Sequence, residues 1–216
     1  MFRDRRHAGQ LLGARVLELL PIIRESSDGR LLDVVVLGLP RGGVPVAKEV
    51  SDKIQAPLDV IVVRKIGVPG QEELAMGAVA SGGAEYLNHA LIQRLGIEES
   101  LVRRLVAKKN AELLQRERMF IGPKTHVPVQ GKCVIMVDDG LATGATMKAG
   151  IQAVKARGPA KIVVAVPVSP ADTLADMRSV ADDVICLSEP EYFYGVGGSY
   201  HVFAQTSDEE VIGLLK

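Results

Sequence analysis

The sequence predicts an α/β fold, a doubly wound and mainly parallel sheet flanked by helices. Three observations point there. Residues 32–39, 58–63, 133–137, 161–168 and 184–187 are short, β-branched and almost wholly apolar, as strands buried on both faces are. Stretches with helical spacing alternate with them. Three of the runs end directly in small-residue, cationic or acidic turns, and such a sheet binds its ligands at the carboxyl ends of its strands.

One domain is expected for 216 residues. Its core would cover about 32–187, and a small hood about 1–31 and 188–216. Hydrophobic residues make up 47% and charged residues 24%, a balance typical of soluble domains. The formal net charge of +0 provides no global field for nucleic acid or membrane. Cys133 and Cys186 lie in apolar runs and read as buried free thiols of a reducing compartment. No run of about 18 apolar residues occurs, so no membrane span is expected. Arg3, Arg5 and Arg6 open the chain, but Asp4 and Glu18 interrupt any signal-peptide pattern. The cytoplasm is the expected location.

The leading helix covers residues 7–24, with Leu12, Val16, Leu19, Leu20 and Ile23 at helical spacing. It packs on the core or caps a neighbouring site. The strand at 32–39 runs into Pro40-Arg41-Gly42-Gly43, and a helix follows over about 46–54. Glycines at the start of a helix let an anion approach unpaired backbone N–H groups, and Arg41 adds a forked cationic donor. The strand at 58–63 ends in Arg64-Lys65. Residues 66–76 hold two glycines and a proline and read as a mobile loop, with a strand near 77–80. A turn at 81–85, a short strand at 86–88 and a helical turn at 91–95 come next. A long helix spans 98–120. Its Arg103, Arg104, Lys108, Lys109, Arg116 and Arg118 read as a solvated face, with RNA binding as the alternative.

The strand at 133–137 leads into Asp138-Asp139-Gly140-Leu141-Ala142-Thr143-Gly144-Ala145-Thr146, and a helix through Met147, Ile151 and Val154 follows. This stretch organises the chain. Backbone N–H groups and the helix dipole favour an anion at the Thr143–Thr146 turn. Asp138 and Asp139 cannot bind that anion. They are placed to accept hydrogen bonds from sugar hydroxyls or to hold a hydrated Mg²⁺. Neither the P-loop pattern nor the GxGxxG pattern occurs. A strand at 161–168, a helix at 173–180, a strand at 184–187 and a helix at 208–215 complete the chain. Four Tyr and four Phe are present with no Trp. Tyr192, Phe193, Tyr194, Tyr200 and Phe203 crowd the tail among Gly195, Gly197 and Gly198. They would stack on a planar ring, or form a satellite core under the last helix. The four His residues are scattered and make no metal site.

Residues 137–146 resemble the phosphoribosyl diphosphate (PRPP) signature of type I phosphoribosyltransferases, and Arg41-Gly42-Gly43 resembles that family's diphosphate loop. The resemblance implies transfer of a phosphoribosyl group from PRPP to a nitrogen acceptor such as a nucleobase, with Mg²⁺ and release of diphosphate. Asp138 and Asp139 would contact the ribose hydroxyls and the metal, and Gly140 to Thr146 would wrap the 5-phosphate. Arg41, Gly42, Gly43, Arg64 and Lys65 would face the diphosphate, with Asp138, Asp139, Arg41 and Lys65 as the catalytic set. Residues 66–76 would correspond to the family's flexible catalytic loop, although no Lys occurs between Ile66 and Gly77. Tyr192, Phe193 and Tyr194 would form the acceptor hood, with the leading helix beside them. A homodimer is common in the family. A PRPP-binding regulator without turnover is the alternative on the same fold.

Overall fold

The computed structural model describes residues 1–216, apart from the side chain of Glu73. Five strands form one parallel sheet: β1 (Val34–Gly38), β2 (Leu58–Val60), β6 (Cys133–Val137), β7 (Lys161–Val168) and β8 (Asp183–Ser188). Their order is β2-β1-β6-β7-β8, and each neighbouring pair is parallel. The direction of winding reverses between β1 and β6. Gly38 of β1 is in register with Val137 of β6, so the loops leaving these two strands start side by side.

Both faces of the sheet are covered, which explains why its strands are apolar throughout. Val36, Cys133, Ile135 and Val137 point to helices α1 (Arg5–Ile23) and α2 (Gly43–Ile54). Val35, Leu37, Val134 and Met136 point the other way, towards α5 (Ala145–Lys155) and α6 (Ala171–Arg178). Helix α1 lies against α2 through two glycines. A Cβ on Gly9 would stand 2.8 Å from Glu49 Cβ, and one on Gly13 would stand 3.0 Å from Lys53 Cβ.

The expected strand at 58–63 divides in two. Leu58–Val60 stays in the main sheet, and β3 (Val63–Val68) turns away to pair with β4 (Gln71–Ala80). With β5 (Ala84–Leu87) these make a three-stranded antiparallel sheet. The stretch 66–76 is therefore a β-ribbon with its turn at Pro69-Gly70, not an irregular loop. The ribbon packs on α4 (Glu99–Ile121) through Ile66, Val68, Met76, Val79, Val102, Leu113 and Phe120. A short α3 (His89–Arg94) precedes α4, and α7 (Asp208–Leu214) adds Val211 to the same core. Cys133 is buried and Cys186 half-buried, both as free thiols; burial pushes the Cys133 thiol up to about 11, which leaves it unreactive. No helix among the described residues is long and apolar enough to cross a membrane.

Candidate active site at the winding switch

Two loops meet where the winding reverses. Leu39 N–H donates to the Val137 carbonyl at 2.9 Å, so the Arg41-Gly42-Gly43 turn lies directly beside the acid pair. The contact admits only glycine. A Cβ on Gly42 would fall 2.0 Å from Asp139 Oδ2, and one on Gly43 would fall 2.8 Å from Asp138 Cα. The Pro40–Arg41 peptide is cis. Helix α2 begins at Gly43, earlier than its spacing suggested, so the glycine pair is the helix N-terminus itself.

The second turn is shaped for an anion. Among the described residues, the N–H groups of Thr143, Gly144, Thr146 and Met147 have no backbone acceptor in the turn, and that of Ala145 reaches only Thr143 Oγ1 at 3.4 Å. Thr143 and Thr146 are exposed. Thr173 of α6 braces the turn by donating to the Ala142 carbonyl at 2.6 Å. Gly144 has φ +67, and a Cβ there would meet Met177 Cε at 2.8 Å.

Both turns open on one cavity of about 540 Å³, lined by Arg41, Arg64, Lys65, Lys109, Arg116 and Thr146. Arg41, Arg64, Lys65 and Thr146 are thus brought together as the sequence suggested. Lys109 and Arg116 are additions. The cationic face of α4 is not wholly solvated, because packing on the ribbon turns these two residues towards the site. Glu72 is a carboxylate in the same wall, and Asp208 bridges Arg116 at 3.1 Å and Arg41 at 3.7 Å.

The two carboxylates of the acid pair are not equivalent. Asp138 lies deep between the two turns, with only part of its surface open. Its Oδ1 accepts the Asp139 N–H at 2.8 Å. Burial, reinforced by the neighbouring Asp139 charge, holds the Asp138 carboxyl well above the usual range. Burial also raises Asp139, and Arg5 opposes this. Arg5 Nε donates to Asp139 Oδ2 at 2.7 Å, Nη1 donates to the Ala204 carbonyl at 2.5 Å, and the guanidinium lies 3.9 Å from the Phe203 ring centroid. Sequence reasoning missed Arg5 as a site residue, because nothing local announces a contact 134 positions away. Among the described residues no group of three or more His, Cys, Asp and Glu is placed to hold a metal ion. The donor set fits Mg²⁺ that arrives with its ligand, which needs only one or two carboxylates beside phosphate oxygens and water.

The tail and the start of the chain before α1 are joined by backbone hydrogen bonds. Phe2 N–H donates to the Ser199 carbonyl at 2.8 Å, and the His201 and Val202 N–H groups donate back to Phe2 and Arg3, each at 2.9 Å. Tyr200 is buried between Phe2 and Phe203 and donates its hydroxyl to the Asp139 carbonyl at 2.6 Å. Phe193 packs against this group; Tyr192 and Tyr194 are 71% and 90% exposed. The satellite core thus exists, but it forms over α1 and β7, not under α7. Tyr192, Phe193 and Tyr194 line a separate cavity of about 200 Å³ with Phe2 and Ser188.

Known proteins share this fold. The crystal structure of TT1426 from Thermus thermophilus superposes with a TM-score of 0.87 at 39% identity, covering 99% of this chain and 97% of that one. The AQ2163 protein of Aquifex aeolicus shares the fold at 12% identity, with a TM-score of 0.53 over 89% of this chain and 78% of that one. A Mycobacterium tuberculosis protein (strain H37Rv) whose name places it provisionally among phosphoribosyl transferases is 44% identical over 215 residues. That match takes in 100% of this chain and 46% of the relative, so the chain spans about half the length of the curated relatives it matches. The phosphoribosyl transferase domain family matches residues 7–202, a span that holds the glycine turn, the acid pair and the anion turn; the chain belongs to that family.

Proposed function

We propose that this chain transfers the phosphoribosyl group of PRPP to a nitrogen acceptor, probed first with nucleobases, and releases diphosphate. One observation carries the reading. An acid pair and an N–H-rich helix-start turn follow β6, directly beside a glycine helix start after β1, and both turns open on a cationic cavity. The Thr143–Thr146 turn would take the 5-phosphate. Asp138 and Asp139 would accept hydrogen bonds from the ribose hydroxyls, Asp139 exchanging Arg5 for ligand. Arg41, Arg64, Lys65 and the start of α2 would hold the diphosphate. When the ribose–oxygen bond breaks, its electron pair leaves with diphosphate and positive charge builds on the ring. The protein's contribution is fixed charge and fixed N–H groups at those places. Mg²⁺ carried by the substrate and held through Asp138 would supply further neutralisation of the phosphate oxygens.

A diphosphate-release assay with PRPP, Mg²⁺ and a panel of bases tests this reading. Release with at least one base is expected, and Thr146→Glu, which places a carboxylate at the anion turn, should abolish it without lowering the melting temperature. The absence of diphosphate release with every base would overturn it. A PRPP-binding regulator is a second reading, favoured by the ribbon: no Lys or Arg lies between Ile66 and Gly77. It predicts binding of PRPP with no release for any base.

A further inference from the structure

We propose that Lys109 and Arg116 of α4 bind the departing diphosphate and supply the cations that the turn end of the β3–β4 ribbon lacks. The proposal rests on the phosphoribosyl-transfer reading above and deepens it. Arg64 and Lys65 sit at the base of the ribbon, and its turn at Pro69-Gly70 carries no cation. Helix α4 packs its apolar stripe of Val102, Leu113 and Phe120 against the ribbon, which fixes the rotation of the helix. Lys109 and Arg116 are seven residues apart, two turns on one stripe, about 10 Å along the axis. That rotation places both in the wall of the same cavity as Arg41, Arg64, Lys65 and Thr146.

Both are paired in the ligand-free chain, Lys109 weakly, and Arg116 through both terminal nitrogens to Asp208 at 3.1 and 3.4 Å with its guanidinium 5.1 Å from the Phe120 ring centroid. Lys109 pairs with Glu112 at 2.9 Å, with both side chains about a third exposed, a geometry of little energetic weight. Arg116 shares Asp208 with Arg41. Two guanidinium groups gathered on one carboxylate keep a net positive charge and hold their remaining donors for another anion. Five cations face Glu72, Glu112 and Asp208, so the cavity stays net positive before a ligand enters. In the step itself the ribose C1–O bond breaks and its electrons leave with diphosphate. The acceptor nitrogen forms the C1–N bond and its proton passes to water. The charge that needs an electrostatic partner is on the leaving group.

Calorimetry with two probes tests the assignment: inorganic diphosphate with Mg²⁺, and ribose 5-phosphate, which on the same reading engages the Thr143–Thr146 turn and the acid pair but carries no diphosphate. Lys109→Gln and Arg116→Gln should each weaken diphosphate binding roughly tenfold, in line with loss of one charge-assisted contact. Arg116→Lys should recover part of the loss, and ribose 5-phosphate affinity should stay within about twofold throughout. Lys109 is a partly exposed surface residue, so its variant separates ligand binding from folding. Unchanged diphosphate affinity in both Gln variants overturns the proposal and leaves the broader reading standing. Equal loss of both probes in Arg116→Gln with no effect in Lys109→Gln makes Arg116 structural and overturns it as well. A wild-type protein that binds neither probe overturns the phosphoribosyl reading, and the proposal falls with it.

Discussion

Asp138 and Asp139 are adjacent in sequence but differ in surroundings. Asp139 has Arg5 at 2.7 Å, whereas Asp138 is enclosed by the two turns with no cation in hydrogen-bond reach. Its raised pKa means that folding disfavours its charged form. The stability tied to this group is therefore greatest in acid and falls as pH climbs from the ordinary carboxylate range through the raised value. Asp138→Asn should consequently stabilise the ligand-free protein while weakening ribose ligands at least tenfold. A gain of about 1 kcal/mol would appear in scanning calorimetry as a rise of roughly 2–4 °C; a fall would show the carboxylate to be a structural partner. The aromatic residues of the tail also divide by environment. Phe193→Ala removes part of the Phe2–Tyr200 group and should lower melting temperature. Tyr194→Ala touches an exposed ring and should leave stability within about 0.5 kcal/mol. If Tyr194 stacks on the acceptor, its loss costs about 1–3 kcal/mol of acceptor binding, read by calorimetry in the presence of PRPP. Gly144 is a poorer probe than its turn position suggests, since a side chain there meets Met177 and Thr173 and a binding defect would be confounded by strain.

Helices α1 and α2 illustrate how an element can set a site from a distance. Gly9 and Gly13 allow the close approach that puts the first turn of α1, and with it Arg5, over Asp139. Gly9→Val should cost about 1–3 kcal/mol by overpacking. Urea unfolding would show that loss, and an arginine side-chain NMR signal would report release of Arg5 from the carboxylate. Most elements were legible in the sequence: β6 and β7 lie where their apolar runs placed them, and β1 and α4 differ by a residue or two at their ends. The ribbon was not. The β3–β4 pairing shifts register at Gly67, where the Glu72 backbone passes 2.5 Å from the position a Cβ would take. A bulged strand with glycine at the bulge looks, residue by residue, like a loop. The glycine turn and acid-pair turn could be read locally because each is a strand end followed by a helix start. Arg5, Lys109 and Arg116 could not, because only tertiary packing brings them to the cavity.

Across the whole molecule, a buried charge network ties α4 to the main sheet. His126 is 2.9 Å from Asp59 of β2 and 2.8 Å from Glu117 of α4, and both carboxylates are buried. Hydrogen bonds to Asp59 and then to Glu117 raise the imidazole from 6.5 to about 9. The group's folded pKa lies above its unfolded value, so its stabilisation is complete below about pH 6.5 and lost as pH rises through about 9. His126→Leu would strand two buried carboxylates and should cost about 3–5 kcal/mol. Thermal melts from pH 6 to 10 should show the wild type losing stability across that window and the variant lacking that part of the slope. An acidic residue inside an apolar strand, Asp59, was the one local sign of this network. Beside the acid pair, Phe2 and Arg3 pair with Ser199, His201 and Val202, and Arg5 joins both segments to Asp139. The two ends of the chain are therefore latched to one carboxylate, and loosening either end should expose the other to a protease. In Arg5→Ala, chymotrypsin should cut faster at Tyr192 and Tyr194, and a ribose ligand that takes Asp139 from Arg5 should leave the same mark on the wild-type chain.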